Sequence, residues 1–378
     1  MTTSRRGFIR FGVGAAFAAM PLTRASRAAT LDPQRRDNHT VIRLDCNENA
    51  CGPSPKVIDA IRNACGRSNR YPRLEYGALS ERISAYHRVK PEQIVLGCGS
   101  TEIFRMAALV FLAGGKQLVQ ASPTHEAMAY YARTIGSNVI AVNLTPTFAH
   151  DLDGMLARVG PSTALIYVCN PNNPTGTLTP RKNMETFISK LPASSYVVID
   201  EAYHDYAGIS AMYASFIDRP IDDDRVIVTR TFSKVYGLAG LRVGYAVCST
   251  RTAQQMRKFA TEDGINAIAT QAALASLEDT DARNEAVSRN ANDRQEFFNQ
   301  AMARALKPIE SRANFVMMNT FHPADEVAHY FSSNNILIGY GFPGMDTHIR
   351  VSLGLPEEMK EFWQTWDTLP YPKNVMHH

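Results

Sequence analysis

Between residues 92 and 248 the chain repeats one pattern, a short apolar run rich in β-branched residues followed in most cases by a stretch of helical length. The runs are QIVLGCG, KQLVQASP, NVIAVNL, ALIYVCNP, SYVVID, RVIVTRT and RVGYAVCS. Each is apolar at consecutive rather than alternate positions, which suits strands covered on both faces. Strands alternating with helices pair in parallel, since a parallel neighbour requires a crossover long enough to hold a helix. The pattern therefore predicts an α/β domain, with a mostly parallel seven-stranded sheet between helical layers. Ligands of such sheets sit beyond the carboxyl ends of the strands, so chemistry is sought where the runs stop.

The run ends are polar. They read GCGSTE (Gly97 to Glu102), NPNNPTG (Asn170 to Gly176), DEAYHDY (Asp200 to Tyr206) and TFSK (Thr231 to Lys234). After Val247 the pattern changes to long helical stretches over about 251 to 305, then ANFVMMNT, a helix near 323 to 334, NNILIGYG and HIRVSLGL. This predicts a smaller α+β domain. The expected organisation is residues 30–55 as an N-terminal arm packing back across the small domain, 56–250 as the large domain, and 251–378 as an interdomain helix and the small domain.

Residues 1–29 read as an export segment rather than as fold. SRRGFIR precedes the apolar FGVGAAFAAMPL and then RASRAA, whose small residues suit a signal peptidase. The apolar run is too short to span a bilayer as a helix. The paired arginines resemble a twin-arginine signal, which carries folded proteins. The expectation is a periplasmic protein, cytoplasmic if the segment is not used, with no stable membrane anchor once it is removed. The segment holds five arginines and no acid; without it the formal charge of +4 becomes −1, and no global basic field remains to recruit nucleic acid. The six cysteines form no C-x-x-C pair and no cluster with zinc spacing, so no metal site is expected. Cys98 and Cys169 read as buried thiols in apolar strands, and in an oxidising compartment a Cys46–Cys51 disulfide is open.

In GCGSTE, glycines lead into Ser100 and Thr101 at the start of an apolar helix, exposing backbone N–H groups that favour an anion. Alone this is a weak signal, since Ser or Thr at such a position is more often a plain helix cap. Thr231 and Ser233 add hydroxyls, and Arg242 adds a guanidinium fork suited to phosphate. With Arg242 in that role, Lys234 is free for another: an amine in a partly apolar pocket can lose its proton and attack an aldehyde. A phosphate-bearing aldehyde cofactor is pyridoxal phosphate. Its ring nitrogen needs a carboxylate, and Asp200 ends an apolar strand where a lone charge would be costly. Tyr203 and Asn173, the latter restrained by Pro174, can donate to the ring's phenolic oxygen.

NPNNPTG, DEAY, TFSKVYGLAGLRVGY and HIRVSLG, in this order, resemble the fold-type I pyridoxal-phosphate aminotransferases, specifically the histidinol-phosphate aminotransferase branch, over residues 44 to 359. The resemblance implies an aspartate aminotransferase-like fold and transamination between an amino acid and a 2-oxo acid. In it Lys234 carries the cofactor as a Schiff base and performs a 1,3-proton transfer. It assigns Asp200 to the ring nitrogen, Asn173 and Tyr203 to the phenolic oxygen, and Ser100, Thr101, Thr231, Ser233 and Arg242 to the phosphate. Arg350 would grip the substrate's α-carboxylate. Tyr71 would reach the phosphate of a neighbouring subunit's cofactor, which implies a homodimer with shared sites.

Three positions depart from the branch. Cys51 and His125 each stand where it usually has a tyrosine, the latter on the cofactor ring. A neutral imidazole there is either a flat replacement or a proton carrier near pH 7. Gly339 and Tyr340 occupy the place of an arginine that meets the substrate's phosphate. A non-phosphorylated substrate is therefore expected, with Tyr340 and Cys51 as candidate substrate contacts. The rival reading keeps the cofactor and decarboxylates, oxidises or cyclises an amino acid, since bond choice depends on orientation about Cα.

Overall fold

The computed structural model describes residues 41–208, 210 and 212–370. The strands are β1 (Ile42–Leu44), β2 (Ile94–Cys98), β3 (Gln117–Ser122), β4 (Asn138–Asn143), β5 (Thr163–Cys169), β6 (Tyr196–Asp200), β7 (Val226–Thr231), β8 (Val243–Val247), β9 (Lys307–Pro308), β10 (Phe315–Asn319), β11 (Ile336–Ile338) and β12 (His348–Ser352). Seven of them form one sheet in the order β2-β8-β7-β6-β5-β3-β4. The β6–β7, β5–β6, β3–β5 and β3–β4 pairs are parallel, and β8 runs against both of its neighbours. All seven apolar runs are strands of this sheet, and the mostly parallel α/β reading holds.

Residue alternation explains why the runs are apolar throughout. On β5 and β6, Ile166, Val168, Val197 and Ile199 enter one core, while Leu165, Tyr167, Cys169 and Val198 enter another on the opposite face. Helix Gly99–Phe111 lies on the second face, contributing Ile103, Phe104 and Ala107. Among the described residues, no helix is long and apolar enough to cross a membrane.

A separate core joins Leu44, Phe297, Val316, Phe331, Ile338, Val351 and Phe362 around the small antiparallel sheet β12-β10-β9. β1, from the N-terminal side, pairs in parallel with β11 of this unit. That pairing leads the next residues, Asp45 to Asn47, past the carboxyl ends of the large sheet. Residues 1–29, expected to be an export segment, and residues 30–40 of the expected arm lie outside the described residues.

Cys98 departs from the buried thiol expected of it. It is exposed because it is the last residue of β2, where the chain leaves the sheet, whereas Cys169 is buried within β5; Cys46 and Cys51 are free thiols.

Candidate active site

Four strand ends and the arm converge. At the end of β2 the chain turns into its helix through Gly99 at φ +71°, and a Cβ there would stand 2.3 Å from the Arg242 guanidinium, so only glycine admits this approach. Arg242 donates from NH2 to Thr101 Oγ1 at 3.0 Å and from NH1 to Ser233 Oγ at 3.4 Å and the Ala239 carbonyl at 3.0 Å. Thr231 Oγ1 lies 3.0 Å from Ser233 Oγ, and a Cβ on Gly244 would meet Ser100 N at 2.5 Å. Ser100, Thr101, Thr231, Ser233 and Arg242 thus surround one helix N-terminus. Among the described residues, Arg242's partners are hydroxyls and a carbonyl, with no carboxylate to satisfy its charge, which fits a phosphate.

Asp200 is 2 % exposed, and both of its oxygens are bonded. Its Oδ1 accepts from Thr229 Oγ1 at 3.1 Å and Ala202 N at 3.2 Å; its Oδ2 accepts from the Tyr167 hydroxyl at 2.8 Å and faces the Cys169 thiol at 3.8 Å. A buried carboxylate held by neutral donors, with no ion pair among the described residues, suits a protonated ring nitrogen. Tyr203 is buried, its hydroxyl accepting from Asn47 Nδ2 at 3.0 Å. Burial pushes its pKa up, so it remains an O–H donor.

Lys234 Nζ donates to the Asn47 carbonyl at 2.8 Å and the Cys46 carbonyl at 3.3 Å, and stands 5.5 Å from the Tyr203 ring centroid. Burial first, then the nearby Arg350 charge, lower its pKa to about 8, with Cys46, Glu48 and Asp200 opposing. The neutral amine is therefore accessible well below the ordinary lysine range. Capture of added pyridoxal phosphate by the cofactor-free protein should quicken about tenfold per pH unit up to about pH 8 and then level off. Stopped-flow absorbance reads this directly; a rate still climbing at pH 10 would mean an unperturbed lysine.

Arg350, on β12 and 5 % exposed, donates from NH1 to Asn173 Oδ1 at 2.7 Å and from NH2 to the Asp45 carbonyl, while its Nε has no partner among the described residues. Holding Asn173 by Oδ1 leaves its Nδ2 to donate elsewhere. An unpaired buried guanidinium N–H is the feature a substrate carboxylate would satisfy. His125 packs edge-on to Phe104 at 6.1 Å, and burial lowers its pKa, favouring the neutral ring.

Three further expected residues take no part in the hydrogen bonds just described. Tyr71 is 77 % exposed, between the helices Pro55–Ala64 and Arg73–His87. Cys51 lines a shallow pocket of about 20 Å³ with Tyr206, Arg289 and Asn314, which none of Lys234, Asp200 or Arg350 lines. Tyr340 packs against the small-domain core on the same face as Ile336 and Ile338, and it is Gly339 that faces Arg350. Strand alternation accounts for this, since neighbouring side chains point to opposite faces.

Asn47, Tyr167 and Thr229 are site neighbours that the sequence reading missed. Asn47 adopts φ 53°, a left-handed conformation asparagine tolerates, and ties Tyr203, Lys234, Ser352 and Asn314 together. Among the described residues, no group of His, Cys, Asp or Glu could hold a metal ion.

The family described as Aminotransferase class I and II matches residues 39–365. The chain is 34 % identical over 323 residues to the histidinol-phosphate aminotransferase of Moorella thermoacetica, covering 85 % of this chain and 83 % of that one. It is 36 % identical over 332 residues to an aromatic amino acid aminotransferase of Rhodococcus erythropolis, covering 86 % and 90 %. The crystal structure of histidinol-phosphate aminotransferase from Sinorhizobium meliloti in complex with pyridoxal 5'-phosphate superposes with a TM-score of 0.81 at 30 % identity, over 86 % of this chain and 90 % of that one. A phosphate cradle, a depressed lysine and a buried carboxylate at one sheet edge agree with these likenesses, and the chain belongs to the class I and II aminotransferases as a pyridoxal-phosphate-dependent enzyme of the histidinol-phosphate aminotransferase-like branch.

Proposed function

We propose that this enzyme transfers the amino group of an unphosphorylated amino acid, with an aromatic or neutral side chain, to a 2-oxo acid. The bridge between Gly339 and Arg350 carries this reading. Their backbones exchange N–H to C=O bonds of 2.8 and 2.7 Å, and a Cβ at 339 would stand 3.2 Å from the Arg350 guanidinium. A longer side chain at 339 would start beside the anion-binding fork, and glycine places no second cation there. One guanidinium matches the single charge and planar oxygens of a carboxylate. A buried phosphate lacking its second partner would lose on the order of 2–5 kcal/mol. Phe342 and Phe315 lie 5.1 and 5.7 Å from the Arg350 guanidinium carbon, apolar surroundings that favour the same substrate class.

Pyridoxal phosphate, when bound, supplies an aldehyde that captures amines and a ring that accepts the electrons of the Cα–H bond. The chain's own residues do the rest. Arg242 and its hydroxyls would hold the phosphate, Asp200 the ring nitrogen, and Tyr203 and Asn173 the phenolic oxygen. Arg350 fixes the substrate carboxylate and thereby which Cα bond meets Lys234, whose Nζ accepts the Cα proton.

Mixing the loaded enzyme with single donors and no acceptor tests the substrate. Aromatic amino acids should bleach the visible band at least about tenfold faster than histidinol phosphate at equal concentration. Equal rates would sink the reading, and carbon dioxide release would favour decarboxylation.

The reading extends to a homodimer, with Tyr71 and the 88 % exposed Leu74 covered by a second copy, and to periplasmic export through residues 1–29. The N-terminal mass and sedimentation mass of periplasmic protein check both; an uncut monomer would refute them.

A further inference from the structure

We propose that Tyr167 is a positioning residue that sets how much negative charge Asp200 presents to the ring nitrogen of the bound cofactor. The proposal rests on the reading of Asp200 as the ring-nitrogen partner. It follows from the sheet register. Cys169 on β5 is opposite Asp200 on β6, and Asp200 is opposite Thr229 on β7. Side chains two apart on one strand share a face, so Tyr167 lies on the Cys169 face and its hydroxyl reaches Asp200 Oδ2 at 2.8 Å.

Among the described residues, that hydroxyl meets Asp200 first and the weakly bonding Cys169 thiol second. Tyr167 is fully buried, and its ring is held edge-on by Phe104 at 5.5 Å, itself in contact with His125. Burial and the Asp200 charge push its pKa well up, so it stays an O–H donor throughout the working range. Asp200 Oδ1 is already fixed by Thr229 and the Ala202 N–H, which hold the carboxylate in its strand-end orientation. Tyr167 is thus the strong donor on the other oxygen, where Cys169 at 3.8 Å is a weak one. A phenol donating to a carboxylate draws off part of its charge. Removing that donor leaves a more negative Oδ2, and a more negative potential favours the protonated form of a neighbouring titrating group.

The readout is the pH at which the visible absorbance of the loaded enzyme changes, which reports proton uptake by the cofactor and does not depend on turnover. Tyr167→Phe, which keeps the ring, should move that transition up by about half a unit or more. Replacing Tyr167 by 3-fluorotyrosine, a stronger donor of nearly the same shape, should move it down. Asp200→Asn serves as the control and should also shift it, because the carboxylate and the proton it would hold on the ring nitrogen are both gone. In steady state, Tyr167→Phe should change kcat more than KM for the amino acid, since Tyr167 does not touch the substrate fork. Opposite shifts for the two Tyr167 replacements support the proposal. If Tyr167→Phe does not fold, the fluorotyrosine protein decides alone. A transition that responds to Asp200→Asn but not to either Tyr167 replacement overturns the role of Tyr167. One that ignores Asp200→Asn as well removes the reading of Asp200 on which it rests.

Discussion

Lys234→Ala will fold and bind pyridoxal phosphate, yet its turnover will fall by more than about 10⁴-fold, because one amine is asked to act as both nucleophile and proton carrier. Folding should survive because, among the described residues, Lys234 Nζ donates to the Asn47 and Cys46 carbonyls, which other donors can serve. Asn47 keeps its other ties, to Tyr203, Ser352 and Asn314. Cofactor should be retained because the Arg242 cradle and the Asp200 carboxylate do not involve Lys234. The variant should respond to added small primary amines, which can enter the emptied space and take up the proton in its place. Steady-state assays with and without methylamine check this. Turnover near that of the parent enzyme would mean that another group carries the proton.

Arg350→Leu should lower kcat/KM for an amino acid by about 10²–10³-fold, the range expected when a bidentate clamp on a buried carboxylate is lost. Part of that loss comes from the groups left behind, since the Asn173 Oδ1 and Asp45 carbonyl both lose their donor. Comparing the amino acid with the corresponding amine, which lacks the carboxylate, separates the causes. If Arg350 acts through the carboxylate, the amino acid should lose nearly all its advantage over the amine. If the site has merely collapsed, both should fall together. Arg350→Lys should rescue little, because an ammonium cannot reproduce the planar fork.

What could be read from the sequence was whatever a local pattern encodes. The seven strands were legible because burial on both faces makes every position of a run such as ALIYVCNP apolar. Asp200 stood out because a charge at the end of YVVID needs a partner, and Lys234 because TFSK offers it hydroxyls instead of an acid. Tyr167 was hidden by the same logic, since in an apolar strand a tyrosine reads as core until the register sets it beside Asp200. Asn47 was out of reach for a different reason. Its partners Tyr203 and Ser352 are 156 and 305 positions away, and only the pairing of β1 with β11 brings the arm to them. The departure at 339 and 340 was visible as a missing arginine. Which of the two faces Arg350 depended on strand phase, and Ile336, Ile338 and Tyr340 share the core side.

Borohydride reduction of the loaded enzyme, followed by proteolysis and peptide mass spectrometry, asks whether Lys234 holds the cofactor. A single pyridoxyl group on Lys234, in the peptide containing TFSKVYGLAGLR or a fragment of it, is the expected result. A label on any other lysine, or no covalent label on an enzyme that still turns over, would contradict it.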